Sequence, residues 1–485
     1  MIGIYSGALS RRRKNFPFPQ TRRCCVQMLR PFIYLTSFSV MFFLTEFALH
    51  THLNAFGART MTALYAAAMF INGCGYLLFP LLARTRMAAA DKNRFVPAAA
   101  ALFVISAALA EVFAQPGPRI LFSFAAMALG GFIGGASLWA AAVALRPTGM
   151  TGKLYAAAVA ASVAVQYPIQ NYFAAPHFRL AAVAAAAALF VRAMPPSPGE
   201  PARRLPPEER TTPAAEFLFA VAMVVLLSYF YSLGDGVLMK LNAEGKLTVF
   251  KWPRLFYILS LMIAGWAADL RSGRVIAFAA LAAAAVTGFY PFFLAGDAES
   301  YQLFHLCFWC FAGFYVVCFS VPFMRMAEER NFPELWACMG RIIKQFVNCA
   351  GVVFASALTE VSGARWIFWC NAALVAAMAA WLAFGRRIGV GETDAQETED
   401  EAPPAPQATE DERAAAFAEK YGLSARETEI LKMLADKNAE QTTQALADAL
   451  GVSRRTCERR LSALYAKTGA KNRADLMIAY VRETR

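Results

Sequence analysis

Between residues 31 and 385, long apolar runs alternate with short polar breaks. Each run is roughly twenty residues, the length a helix needs to cross a hydrocarbon core. Twelve runs, near 31–49, 61–82, 95–114, 120–145, 154–174, 178–195, 215–233, 253–270, 275–295, 302–324, 335–358 and 366–384, predict twelve transmembrane helices. The pattern then breaks. Residues 388–412 have no apolar periodicity, and from Arg413 apolar residues recur at three and four, as in short amphipathic helices in water. The expected fold is all-α: a twelve-helix bundle over 31–387 in a lipid bilayer, then a soluble four-helix domain over 413–485.

Proline and charge mark the joints. Pro195-Pro-Ser-Pro-Gly-Glu-Pro, followed by Arg203-Arg204-Leu-Pro-Pro, cannot continue a helix. It reads as an exposed linker near 195–214 that divides the bundle six plus six. Residues 388–412 hold nine acids, no base and no aromatic, so they build no core and read as a disordered tether.

Composition agrees: 58% of the 485 residues are hydrophobic and only 17% charged, which excludes a disordered chain. The net charge of +13 separates into +17 over 1–387, −9 over 388–412 and +5 over 413–485. Residues 1–30 form a basic segment (Arg11, Arg12, Arg13, Lys14, Arg22, Arg23, Arg30) without an acid, which holds the N-terminus in the cytoplasm. With an even number of spans both ends are cytoplasmic, in a cell's inner membrane. Basic residues then favour the inner loops, with one exception: the outer loop bearing Lys240, Lys246, Lys251 and Arg254. The ten cysteines suggest no disulfide framework, and Cys307-Phe-Trp-Cys310 lacks a second ligand pair. No catalytic triad spacing or zinc set is present, so neither an enzyme, a metal nor a cofactor is expected.

Ionisable groups inside a membrane are costly and are candidate functional groups. Glu46 lies in the first span, as a water-exposed helix end or as a ligand or proton site. Asp235 adjoins the seventh span, His305 opens the tenth, and Arg341 with Lys344 lie in the eleventh, snorkelling to the surface or facing inward. Asn72, Gln166, Gln170 and Asn348 add polar groups, Gln166 and Gln170 one turn apart around Pro168. Glu46, Asn72, Gln166, Gln170, His305 and Asn348 are the candidate ligand site. The interior otherwise looks apolar and aromatic, so the expected ligand is a small, largely apolar or aromatic molecule. Gly130-Gly131-Phe-Ile-Gly134-Gly135 permits close helix approach, for packing or for a dimer face.

The six-plus-six layout resembles the major facilitator superfamily of transporters. So does Gly265-Trp-Ala-Ala-Asp269-Leu-Arg271-Ser-Gly273-Arg274 after the eighth span, which is similar to that family's charged loop, with one extra residue before Gly-Arg. The matching first-half loop, Pro80-Leu-Leu-Ala-Arg84-Thr-Arg86, lacks the Asp. The resemblance implies that the loop latches helix ends during alternating access.

In the tail, Ser424-x-x-Glu427 is a capping box opening a helix through Ile430, Leu431 and Leu434. A second helix runs from Thr442 to Leu450, and Gly451-Val452-Ser453 turns into a third, in which Cys457, Leu461 and Leu464 form the buried face. Gly469 ends it, and a fourth runs from Asn472 to Arg482. Leu423, Ser424, Arg426, Glu427, Glu429, Ile430 and Leu431, then Val452, Ser453 and Thr456, then Tyr465, Lys467, Gly469, Asn472 and Arg473 resemble the LuxR/NarL/FixJ type of helix-turn-helix. That resemblance implies double-stranded DNA as partner, with Glu458, Arg459 and Ser462 at base edges. Arg454, Arg455, Thr456 and Lys467 would lie on phosphates, and Arg460 at either. It also implies a homodimer on DNA through the fourth helix. Glu458 stands where the family often has Lys, which implies altered specificity, by accepting from a cytosine amino group.

The expected function is a membrane-bound transcription regulator whose bundle senses a small molecule or the membrane state. The alternative is a transporter whose tail couples transport to transcription. A mere anchor is a third reading.

Overall fold

The computed structural model describes residues 18–85, 89–145, 148–173, 175–194, 214–270, 274–288, 298–327, 332–362, 364–387, 410–435, 443–470 and 472–483. They fall into two compact units, Met1–Ala395 and Gln396–Arg485. The described residues are almost wholly helical and include no strand. Of the linkers read from the sequence at 195–214 and 388–412, residues 195–213 and 388–409 lie outside the described residues.

Among its described residues the first unit has twelve α-helices. The first half has α1 (Phe18–Leu53), α2 (Ala58–Thr85), α3 (Ala89–Val112), α4 (Pro116–Leu145), α5 (Thr151–Asn171) and α6 (Pro176–Ala193). The second has α7 (Ala214–Ala243), α8 (Phe256–Ala268) after a 3-10 turn at Trp252–Leu255, α9 (Arg274–Thr287), α10 (Ala298–Met326), α11 (Pro333–Ser362) and α12 (Ala364–Arg387). Among the described residues nine are long and apolar enough to cross a membrane; α5, α8 and α9 are not among them. Leu102, Ile105, Leu121, Leu259, Met262, Ile263 and Trp266 are exposed on this unit, as suits side chains that meet lipid rather than water. The unit is that of a multi-pass membrane protein.

Its packing repeats with an offset of six. In the first half α1 packs on α4, α5 and α6, α2 on α4, and α3 on α4 and α6. In the second half α7 packs on α10, α11 and α12, α8 on α10, and α9 on α10 and α12. The halves join through α2 with α11 and α5 with α8, a pair of contacts that the same offset exchanges. This is an internal two-fold repeat of a six-helix unit. The Gly130–Gly135 run serves packing inside the unit: a side chain at Gly131 would run into the backbone of α2 at Gly75 and Tyr76, and one at Gly134 into Tyr76 and Phe38.

At one end, α5 begins without a side-chain cap from Met150. The carboxylate of Asp269, at the end of α8, supplies it across the halves, accepting from the backbone N–H of Gly152 at 2.7 Å and Lys153 at 2.8 Å. Arg325 donates to the same carboxylate at 2.5 Å. Gly152 and Gly265 let the two helices close to this distance, since a Cβ on Gly152 would meet Gly265 O at 2.7 Å.

Among its described residues the second unit has five helices where four are expected: α13 (Glu410–Tyr421), α14 (Ala425–Ala435), α15 (Thr443–Ala449), α16 (Arg454–Thr468) and α17 (Arg473–Glu483). The unforeseen α13 places Ala414 and Phe417 in the core with Ile430, Leu431, Leu446, Cys457, Leu464, Leu476 and Tyr480. Glu410, Asp411 and Glu412, assigned to the tether from the sequence, begin this helix.

Candidate ligand cavity and DNA-reading helix

A cavity of about 90 Å³ lies in the first unit, with walls from both halves. The first half contributes Glu46, His50, Tyr65, Tyr76 and Tyr155, and the second Tyr231, Asp235, Arg254, Tyr257, Trp309, Arg341 and Lys344. Phe38, Phe42, Phe43 and Phe250 complete an aromatic lining. The interior expected to be apolar and aromatic is therefore aromatic and charged. The charges come from helices far apart in sequence, so no local window displays them.

Asp235 is buried and accepts from Tyr65 at 3.1 Å and Asn348 at 3.2 Å. Arg254 is 3% exposed, with Glu46 at 4.0 Å and the rings of Phe43, Phe250 and Trp309 at 5.4, 4.9 and 4.9 Å. Arg341 donates to Ser320 at 2.9 Å and to Tyr155 at 2.5 Å. Lys344 donates to Gln345 at 3.2 Å and lies 5.2 Å over the Tyr231 ring. Both face the cavity, so the snorkelling alternative is overturned: neutral hydroxyl, amide and aromatic groups hold them inside.

Of the six candidate ligand residues, Glu46 alone lines this cavity. Asn348 stands directly behind it on Asp235. Asn72 is one step further back, donating to Met127 O and accepting from Gln345. His305 bonds to Val249 O at 2.9 Å, and Gln166 donates to Phe43 O at 3.2 Å. Gln170 is buried with an unpartnered amide away from the cavity. The missed residues are His50, Arg254 and the tyrosines. Arg254, grouped by sequence with an outer-loop cluster, is an interior group, and so is Arg179, which binds Glu111 while His52 lies 3.6 Å from the same carboxylate. A charge counted to the outer loop is therefore packed inside.

In the second unit the capping box forms as the spacing predicts. Ser424 N–H donates to Glu427 at 2.6 Å, and Glu427 N–H donates back to the Ser424 hydroxyl at 3.4 Å. Lys467 binds the same carboxylate at 2.7 Å and Gly422 O at 3.1 Å, tying α16 to the start of α14. Burial pushes the Glu427 carboxyl up, but Lys467 and Ser424 outweigh it and hold the group below its ordinary value. Arg426 pairs with Glu429 at 3.0 Å, not with Glu427.

Four residues, Leu450 to Ser453, join α15 to α16, with Gly451 at φ 62°, a conformation costly for residues bearing a Cβ. Ser453 caps α16, accepting from Thr456 N–H at 3.3 Å, and Gly469 at φ 69° ends it. Cys457, Leu461 and Leu464 are buried, while Arg454, Arg455, Glu458, Arg459 and Ser462 are exposed. Arg454 pairs with Glu458 at 2.9 Å, and Ser462 donates to Glu458 O at 3.0 Å. Thr456 and Arg460 flank this face. The base-edge candidates thus share one exposed face, whereas Lys467 is partly engaged in holding α14.

Residues 422–480 match the family described as bacterial regulatory proteins, luxR family. The second unit therefore carries a luxR-type helix-turn-helix domain. No curated protein matches the chain. Among solved structures, the nucleoside transporter NupG, in a mutant form, is 13% identical with a TM-score of 0.49, over 74% of this chain and 99% of that one. The human organic anion transporter MFSD10 (TETRAN) is 13% identical with a TM-score of 0.46, over 75% of this chain and 99% of that one.

Proposed function

We propose that the chain is a membrane-tethered transcription regulator of the inner membrane, with both termini in the cytoplasm. Its bundle holds a small molecule in the central cavity, and its luxR-type domain binds promoter DNA as a homodimer. The observation that carries this reading is the exposed face of α16, basic and correctly capped, in the same chain as a membrane bundle. Arg455 and Arg459 meet base edges or phosphates, and Arg454 and Glu458 act as a coupled pair. A ligand changes DNA occupancy only in so far as it prefers one arrangement of the two halves. The reading assigns no catalysis to the chain.

The test is genome-wide occupancy of the tagged full chain in cells. Site-specific occupancy that Arg459→Ala removes, with unchanged protein level and membrane location, is the expected result. Occupancy unaffected by that substitution overturns the assignment of α16. A transporter with a signalling tail is the second reading, favoured by the Asp269 contact between the halves. It requires the bundle lacking residues 396–485 to move substrate across a membrane.

A further inference from the structure

The central cavity is electrostatically incomplete. Arg254, Arg341 and Lys344 line it against Glu46 and Asp235; three cations less two carboxylates leave one positive charge, with His50 counted neutral. An excess charge in a water-poor interior is costly, and an anion entering from solution relieves it.

One part of the wall also lacks acceptors. Arg254 Nε and Trp309 Nε1 are buried donors without a hydrogen-bond partner, on residues 3% and 7% exposed. The carboxylate nearest to Arg254, that of Glu46, stands at the 4.0 Å limit of ion pairing. Aromatic rings flank the guanidinium, leaving its N–H edge for a planar acceptor. Guanidinium presents parallel N–H groups that fit a carboxylate in bidentate fashion. At about 90 Å³, the cavity has room for on the order of six to nine water-sized groups. Tyr231 and Tyr257 offer ring faces nearby.

We propose that the cavity binds a small ring-bearing organic monoanion whose carboxylate is held by Arg254 and Trp309. This deepens the ligand-sensing reading above and rests on it for function, but not for binding. It also replaces the expectation of a largely apolar ligand.

The test uses the full chain in lipid nanodiscs and three probes of one shape: benzoate, benzamide and benzylammonium. Binding is read by calorimetry and by thermal unfolding. Benzoate binds at least about tenfold tighter than benzamide, the neutral counterpart, and benzylammonium does not bind. Arg254→Lys keeps the charge without the fork and weakens benzoate; Trp309→Phe removes one hydrogen bond and weakens it about two- to tenfold. Because Arg254→Gln alone strands Glu46, the double variant Glu46→Gln/Arg254→Gln removes both charges. It unfolds at the wild-type temperature without ligand and does not bind benzoate. Equal binding of benzamide and benzoate, no benzoate binding at millimolar concentration, or wild-type binding by the double variant overturns the proposal. Benzoate binding that leaves DNA occupancy unchanged supports the anion site and overturns sensing. Occupancy that answers only to neutral or cationic compounds overturns the anion site and preserves sensing.

Discussion

Asp269→Asn removes the charge and one of the two acceptor oxygens from the contact between α5 and α8. The side chain keeps its shape and still reaches the first turn of α5, whose backbone N–H groups have no intrahelical acceptor. A hydrogen bond to a charged group contributes about 1.5–3 kcal/mol against about 0.5–1.5 for a neutral one. Asn has one accepting oxygen where Asp has two, so one of the bonds to Gly152 and Lys153 becomes neutral and the other is lost, about 2–3 kcal/mol together. Arg325 adds less, because its side chain is 37% exposed and screened by water. A total of about 2–3 kcal/mol favours separation of the helix ends by roughly 30- to 150-fold, at about 1.4 kcal/mol per factor of ten. Hydrogen exchange of the full chain in nanodiscs reads this directly. The amides of Gly152 and Lys153 should exchange faster by that factor, while those in the middle of α5 stay protected. Arg325→Gln should have a smaller effect, no more than about fivefold. If Asp269→Asn leaves exchange at Gly152 and Lys153 within about twofold of wild type, the carboxylate does not hold the halves together.

Three further outcomes concern the second unit. Glu427 has its carboxyl lowered in the folded state, so its contribution is present above the ordinary carboxylate value and is lost as pH falls through the folded value. Acid unfolding of residues 396–485, followed by circular dichroism, should therefore be less steep in Glu427→Gln; an identical pH profile refutes the coupling to Lys467. Gly451→Ala forces a Cβ into a left-handed conformation at about 1–2 kcal/mol. It should lower the unfolding temperature of this unit by about 5–15 °C, and an unchanged temperature would falsify the strain argument. Glu458→Lys removes the partner of Arg454 and reverses a charge on the exposed face; a binding-site selection should return a different consensus from wild type.

The two units were legible in the sequence for different reasons. The bilayer demands long apolar helices, so hydropathy alone locates the helices of the first unit in order. In the tail, the Ser424 box, the Gly451 turn and the Ser453 cap are local devices that sequence spacing encodes directly. The cavity was not legible because its chemistry is non-local: Glu46 meets Arg254 only once α1 and the start of α8 converge. Arg254 follows Pro253 in a short 3-10 turn, and by sequence it belongs with Lys246 and Lys251. Charge counting has no means to separate a loop lysine from a buried guanidinium. Helix α13 was missed because its acidic first turn continues the composition of the tether, while Ala414 and Phe417 alone give too short a period.

The repeat of the six-helix unit holds in its helix pairings but not in its charges. Arg254, Arg341 and Lys344 all belong to the second half, and the first supplies Glu46 and most of the remaining wall. If the cavity binds an acid as proposed, that preference belongs to one contiguous stretch, residues 214–387. Grafting that stretch onto the first half of another six-plus-six bundle should carry ligand choice with it, leaving the first half as a common frame.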